Sequence, residues 1–278
     1  MKRIVTIQDI SCIGKCSLTV ALPIISAMGI ETAILPTAVL STHTMFTGFT
    51  WADLTNQVEP IAAHWKKENF HFDAIYTGYL GSFQQIHQVR NFFEQFREQG
   101  TTIFIDPVMA DNGKLYAGFD LAFAGEMAKL CQKADIIVPN ITEASFLTGM
   151  PYKETYDESY LKEMLRRLAG LGPKYAVLTG VSLSPDRIGI LGLDCAAGEY
   201  FFYDTVRLPV SYHGTGDIFS STTVGALMNG FSLPDALKTA CDYTMETIRV
   251  TVANPDSRSY GVDFETTMPR LLQLIGKI

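Results

Sequence analysis

The sequence predicts a single α/β domain, residues 1–278, with a mostly parallel central sheet flanked by helices. Short runs of β-type residues alternate with stretches of helical apolar spacing along the whole chain, without internal repeats. No Ser-, Gly- or Pro-rich linker divides that alternation. The 278 residues, 47% of them hydrophobic, suffice for one large core or two modest ones.

The elements follow in order. IVTI (4–7) is the first strand, and a helix runs near Ser17–Met28. TAILPTAVL (32–40) holds the second strand. Leu54, Val58, Ile61, Ala62 and Trp65 then recur at helical spacing within 51–68. AIYTG (74–78) leads to a helix over 84–99, with Val89, Phe92, Phe93 and Phe96 on one face. TIFIDPV (102–108) is followed by an irregular, glycine-bearing stretch, Ala110–Gly118, that suits a mobile flap, and by a helix over 119–131. DIIVPN (135–140) precedes a helix at 142–147, and a helix at 158–168 precedes YAVLTG (175–180). RIGILGL (187–193) and EYFFYD (199–204) read as adjacent antiparallel strands. Three helices close the chain, starting at Asp217, Leu233 and Phe264.

Polar residues cluster where the strands end: Gln8 and Asp9; Ser41, Thr42, His43 and Thr44; Thr77, Gly78 and Tyr79; Asp106; Asn140 and Glu143; Thr179 and Gly180. In an open parallel sheet those ends share one edge, and ligands bind there. One such cluster is ordinary helix capping; six on one edge indicate a site. Asn140 and Glu143 also fit the N-cap and N3 positions of a helix, and that role is compatible with a functional one.

The segment SYHGTGDIFSS (211–221) supplies the chemistry. Gly214 and Gly216 allow a sharp turn and a close approach of backbone N–H groups to a ligand. The following helix aims its free N–H groups and positive dipole end at the same point, which favours phosphate. Asp217, directly behind, is placed to accept a proton. An anion hole beside a base serves phosphoryl transfer to an alcohol. Taken alone, the four residues also fit a plain helix start with a glycine turn.

Composition excludes several classes. A net charge of −7, with no basic stripe, argues against nucleic acid. No apolar run approaches the ~18 residues of a membrane span, and Gln8 and Asp9 interrupt the N-terminus too early for a signal peptide. The five cysteines form no C-x-x-C pair and read as reduced thiols of a cytoplasmic protein. No G-x-x-x-x-G-K-[ST] sequence occurs, which disfavours a P-loop enzyme.

GTGD (214–217), DPVMAD (106–111), PNITE (139–143), STHT (41–44) and TGYLGS (77–82) together resemble the pyridoxal kinase family of the ribokinase-like superfamily, in its order and approximate spacing over nearly the whole chain. The resemblance implies a three-layer ribokinase-like domain, a homodimer, and ATP-dependent phosphorylation of the 5′-hydroxymethyl group of pyridoxal, pyridoxine and pyridoxamine. It implies that Asp217 is the base and that Gly214, Thr215 and Gly216 hold the γ-phosphate. It sets Asp106 and Asp111 near the nucleotide's Mg2+, with Glu143 and Asn140 organising metal-bound waters and phosphates. Thr179 and Gly180 match a phosphate-side turn, and Leu208, Pro209 and Val210 a stretch beside the nucleotide. Asp9, His43, Thr44 and Tyr79 match positions around the pyridine ring, and Tyr116 a flap tyrosine.

Two positions depart from the family. Asp9 stands where relatives often carry serine, which bears on vitamer preference. Val138 stands where many carry threonine, which removes one side-chain oxygen from a monovalent-cation (K+) site. Two other functions stay open at this point: a hydroxymethylpyrimidine (phosphate) kinase on the same fold, and a non-catalytic nucleotide or pyridoxal phosphate sensor. An intact GTGD disfavours the sensor.

Overall fold

The computed structural model describes residues 1–278. In chain order its elements are β1 (Arg3–Ser11), α1 (Leu18–Ala27), β2 (Glu31–Leu40), β3 (Trp51–Asp53), α2 (Thr55–Lys67), β4 (Ala74–Thr77), α3 (Phe83–Phe96), β5 (Thr102–Ile105), β6 (Ala110–Asp111), β7 (Lys114–Leu115), α4 (Leu121–Cys131), β8 (Ile136–Ile137), α5 (Ile141–Thr148), α6 (Glu158–Ala169), β9 (Tyr175–Val181), β10 (Arg187–Asp194), β11 (Glu199–Val206), α7 (Thr215–Met228), α8 (Leu233–Ala253) and α9 (Phe264–Leu274).

Nine strands form one sheet in the order β11-β10-β9-β8-β5-β4-β1-β2-β3. The pairs from β9 through β8, β5, β4 and β1 to β2 are parallel. The pairs β2–β3, β9–β10 and β10–β11 are antiparallel. The predicted α/β class is therefore the observed one. Alternation along the strands builds two cores. Val5, Ile75, Ile103 and Leu178 pack under α2 to α6, whereas Ile4, Tyr76, Phe104 and Val177 pack under α1, α7, α8 and α9. The side-chain period of two thus yields three layers from one sheet. No helix is long and apolar enough to cross a membrane.

Three local expectations are corrected. β1 runs to Ser11, so Gln8 and Asp9 lie inside the strand rather than beyond it. Opposite them the ladder slips, with Gln8 facing Pro36 and Ile10 facing Val39, so β2 bulges by one residue beside the carboxyl edge. The helix expected over 51–68 starts only at Thr55, because Trp51–Asp53 pairs with the open edge of β2, and Asp53 Oδ1 accepts the Thr55 N–H at 2.8 Å. A free sheet edge overrides local spacing there. The flap Ala110–Gly118 is not irregular. Asn112 and Gly113, with φ of 50° and 75°, close the β6–β7 hairpin, the conformation an Asn-Gly pair favours.

The strand order reverses around β1, since β2 lies on one side of it and β4 on the other. That reversal opens a crevice at the carboxyl edge, where open α/β sheets bind ligands.

Candidate active site

The start of α7 fixes the centre of the site. Gly214 has φ 80°, and a Cβ there would lie 1.8 Å from the Lys15 carbonyl oxygen, so only glycine fits. The turn before α1 thus packs directly on the phosphate-type loop. Gly216 is exposed with open space where a Cβ would stand, and the Thr215 hydroxyl donates to the Tyr212 carbonyl at 3.2 Å. Asp217 sits in the first turn of α7, half-buried. One turn on, buried Ser220 donates to Asp106 Oδ2 at 2.7 Å, which ties the helix to the end of β5.

Three carboxylates crowd this corner. Burial pushes Asp217 up to about 7, and the charges of Asp106 and Asp9 add to the effect. Burial likewise raises Asp106 to about 6, with the Ser220 hydroxyl opposing. Asp9 is raised by burial, against hydrogen bonds from Ser17 at 2.7 Å and Ser11 at 3.5 Å. The nearby cation, Lys15, is held by Asp263 at 2.9 Å and Glu265 at 3.0 Å. Such a corner favours a ligand that brings positive charge.

The flap is anchored by a complete capping box. Asn140 Oδ1 accepts the Glu143 N–H at 2.9 Å, and Glu143 Oε2 accepts the Asn140 N–H at 2.8 Å. Glu143 Oε1 accepts the Met109 N–H at 3.2 Å, the Asn140 amide donates to the Ala110 carbonyl at 2.9 Å, and Thr142 Oγ1 accepts the Gly113 N–H at 3.0 Å. Glu143 is buried, and its pKa is raised by that burial and by the Asp106 charge. Tyr116 projects from the hairpin. Burial, and then the charges of Glu143, Asp111, Asp106 and Asp217, hold its phenol in the neutral form.

On the β9 side lies a cavity of about 480 Å³ lined by Asp111, Asn140, Thr179, Gly180, Tyr156 and Arg207 among others. Asn140 bridges Thr179 across the sheet edge, which sets these two predicted residues side by side. Arg207 is the cation of this lining and was not among the residues expected from sequence; it follows β11 directly, just before Leu208. Leu208 is half-buried, Pro209 and Val210 are exposed, and the Val210 N–H turns back to the Leu208 carbonyl at 2.8 Å. On the β2 side, His43 Nδ1 accepts the Met45 N–H at 3.1 Å, and its ring lies 4.5 Å from that of His213. Burial and His213 both lower the His43 pKa, which keeps the ring neutral. Thr44 is exposed. Tyr79 stacks on Phe119 at 5.7 Å, and the Asp9 charge raises its phenol after burial does.

No group of three or more His, Cys, Asp and Glu side chains is arranged to hold a metal alone. Mg2+ fits such a site, since it retains waters and takes one or two carboxylates together with substrate phosphates. Asp111 is exposed on the cavity wall, its oxygens accepting only from the adjacent Asn112 at 2.8 and 3.0 Å, and suits direct binding, whereas Glu143 is buried with both oxygens accepting backbone N–H groups of Asn140 and Met109. All five cysteines are free, and burial pushes the Cys16 thiol up to about 12.

The phosphomethylpyrimidine kinase family model matches residues 24–261. The chain belongs to this family. A Bacteroides thetaiotaomicron structure, provisionally described as a phosphomethylpyrimidine kinase and solved with pyridoxal, is 42% identical, covers 97% of this chain and 95% of its own, and superposes with a TM-score of 0.92. The pyridoxal kinase of Lactobacillus plantarum is 35% identical, with 99% and 98% covered and a TM-score of 0.91. The resemblance to pyridoxal kinases read from the sequence is thereby borne out. Among curated proteins, the matched stretch spans 51% of a provisionally named pyridoxal kinase of Saccharomyces cerevisiae and 37% of the thiamine biosynthesis bifunctional protein of Geobacter sulfurreducens.

Two expectations follow from these contacts. Glu143→Ala removes the acceptor of two backbone N–H groups, at about 1–3 kcal/mol for each left unpaired. Its Tm should fall, and proteolysis within 110–118 should speed up. Asp217 is raised from 3.8 to about 7 by folding, so its contribution to stability is fully present below 3.8 and lost as pH rises through about 7. Asp217→Asn should therefore melt a few degrees above the wild type at pH 8, with the difference gone near pH 3.8. Equal melting temperatures at pH 8 would show that the carboxylate is not strained by its surroundings.

Proposed function

We propose that the chain, as one kinase domain over 1–278, phosphorylates the 5′-hydroxymethyl group of B6 vitamers at the expense of Mg·ATP. One observation carries this reading. Asp217 stands in the first turn of α7, behind a glycine in the left-handed conformation, at the corner where an alcohol and a phosphate would meet. The free N–H groups of α7 supply donors for the charge on the transferring phosphoryl group. Mg2+, bound through Asp111 and phosphate oxygens, would neutralise charge on the nucleotide. Asp217 orients the alcohol and takes its proton late, since a carboxylate is a weak base for a neutral alcohol.

Asp106 keeps α7 in place through Ser220, and Glu143 with Asn140 keeps the flap in place. Thr179, Gly180, Arg207 and Leu208–Val210 form the nucleotide side. His43, Thr44, Tyr79 and Asp9 form the vitamer side. The pyridoxal in the Bacteroides thetaiotaomicron structure supports the vitamer assignment. We extend the proposal to a homodimer in the cytoplasm, and to a K+ site weakened by Val138. A second reading, kinase action on hydroxymethylpyrimidine or its phosphate, is favoured by the family model itself.

Turnover of pyridoxal, pyridoxine, pyridoxamine and hydroxymethylpyrimidine, measured side by side with mass detection of the product, separates the two readings. The B6 vitamers should have the higher kcat/KM. Asp217→Asn should lose roughly 10²–10⁴-fold in kcat while still binding nucleotide. Turnover near the wild-type rate would remove Asp217 from the role of base. In the wild type, kcat/KM should rise with pH as Asp217 ionises near 7.

Tyr116 is 39% exposed on a hairpin that hangs from Glu143 and Asn140, placed to cover the reacting groups and exclude water. Tyr116→Ala should raise ATP hydrolysis relative to vitamer phosphorylation. An unchanged ratio would count against a lid.

A further inference from the structure

Ser17 is a helix-start residue that does not cap. It stands at the N-cap of α1, where a serine hydroxyl ordinarily accepts an N–H of the first turn, yet its side chain makes no such bond. The hydroxyl donates instead to Asp9 Oδ1 at 2.7 Å, between two buried side chains. Its backbone has φ 51° and ψ −134°, a region that L residues rarely enter and that glycine adopts without strain. In this conformation its carbonyl still opens α1, accepting the Val20 and Ala21 N–H groups at 3.1 and 2.9 Å. The same turn presses on the phosphate-type loop, since the Lys15 carbonyl occupies the space a Cβ on Gly214 would need.

We propose that Asp9 and Ser17 form a positioning pair for Asp217: Asp9 grips the Ser17 hydroxyl and so fixes the turn whose Lys15 carbonyl packs on Gly214, at the start of the helix that carries Asp217. This rests on the reading of Asp217 as the base. It assigns Asp9 a task set by the strand and the turn besides its place on the vitamer side, and it explains why serine tolerates a glycine conformation. The groups that act on Asp217, or feel its charge, from the surrounding elements are Asp9 on β1, Cys16 in the turn, Tyr76 on β4, Asp106 after β5 and Tyr116 on the hairpin. The Ser17 N–H is a donor that opposes the rise of the Asp217 pKa.

The test uses the full chain with Ser17→Ala, Ser17→Gly, Asp9→Ala and the double variant Asp9→Ala/Ser17→Gly. Glycine holds the conformation without help, whereas alanine leaves it. Ser17→Gly should stay within about threefold of the wild-type kcat, and Ser17→Ala should lose roughly tenfold or more in kcat with little change in KM. In Ser17→Ala, the acid limb of the rate profile and the Asp217 midpoint from carboxyl 13C NMR should both move to higher pH, a change that plain destabilisation does not produce. Asp9→Ala should cost much less kcat in the Ser17→Gly background than in the wild type.

Equal damage from glycine and alanine with an unmoved midpoint overturns the proposal. So does an Asp9→Ala cost that is the same in both backgrounds, and that comparison decides if Ser17→Ala does not fold. Asp217→Asn turning over normally would sink the assignment of the base, while the NMR midpoint would still report on the pair.

Discussion

The packing of Asp9, Asp106 and Asp217 around the first turn of α7 is the constraint on which the rest of the site depends. Three carboxylates in one poorly solvated corner repel one another, and Lys15 is already held by Asp263 and Glu265. The protein meets the charge with dipoles: the N-terminus of α7, the Ser17 N–H, and the hydroxyls of Ser17 and Ser220. Dipoles of this kind moderate charge without neutralising it, which leaves the corner attractive to a metal-bearing phosphate. The burial that raises Asp217, the base we propose, also costs stability at neutral pH, the usual exchange between a strained site and a stable fold.

The flap shows how far that constraint reaches. Glu143 could in principle serve a metal, yet its two oxygens accept N–H groups from Asn140 and Met109. Its carboxylate therefore positions the hairpin that carries Asp111 and Tyr116. The residues that face solvent and ligand hang from ones that do not, so a change at Glu143 reaches the cavity through the backbone.

Much of this was legible in the sequence. The alternation of strands and helices fixed the class, because each element's apolar period reflects the layer it must cover. GTGD, PNITE and the Asp106 turn were legible because each is local: a turn, a cap, a strand end. The Asn-Gly at 112–113 was equally local and marks a hairpin, but glycine there also suits an irregular flap. Two things were not legible. Trp51–Asp53 became a strand only because β2 offered an open edge. The turn at Ser17 touches α7 across some two hundred residues of chain, and no spacing in either segment announces the contact. Arg207 was hidden for a related reason, since its place on the cavity wall depends on where β11 ends relative to β9.

The sheet order leaves room for the proposed transfer between two ligands laid end to end. Along the carboxyl edge the polar residues fall in the order Thr179 on β9, Asn140 after β8, Asp106 after β5, Tyr79 after β4, Asp9 on β1 and His43 after β2. Neighbouring strands lie about 4.8 Å apart, so this row spans roughly 24 Å, room for a nucleoside triphosphate and a small aromatic alcohol in line. The N-terminal half of α7 meets the row at its middle, through Ser220 on Asp106 and its packing beside β4. A cation suited to phosphates, Arg207, lies toward β9 on the cavity wall beside the carboxylate Asp111, and aromatic rings lie toward β4 and β2, where Tyr79, Phe119 and His43 stand. Asp217, the base we propose, and the glycine turn before it therefore sit where the two halves meet, in front of which a phosphoryl group passing between the two proposed ligands would cross.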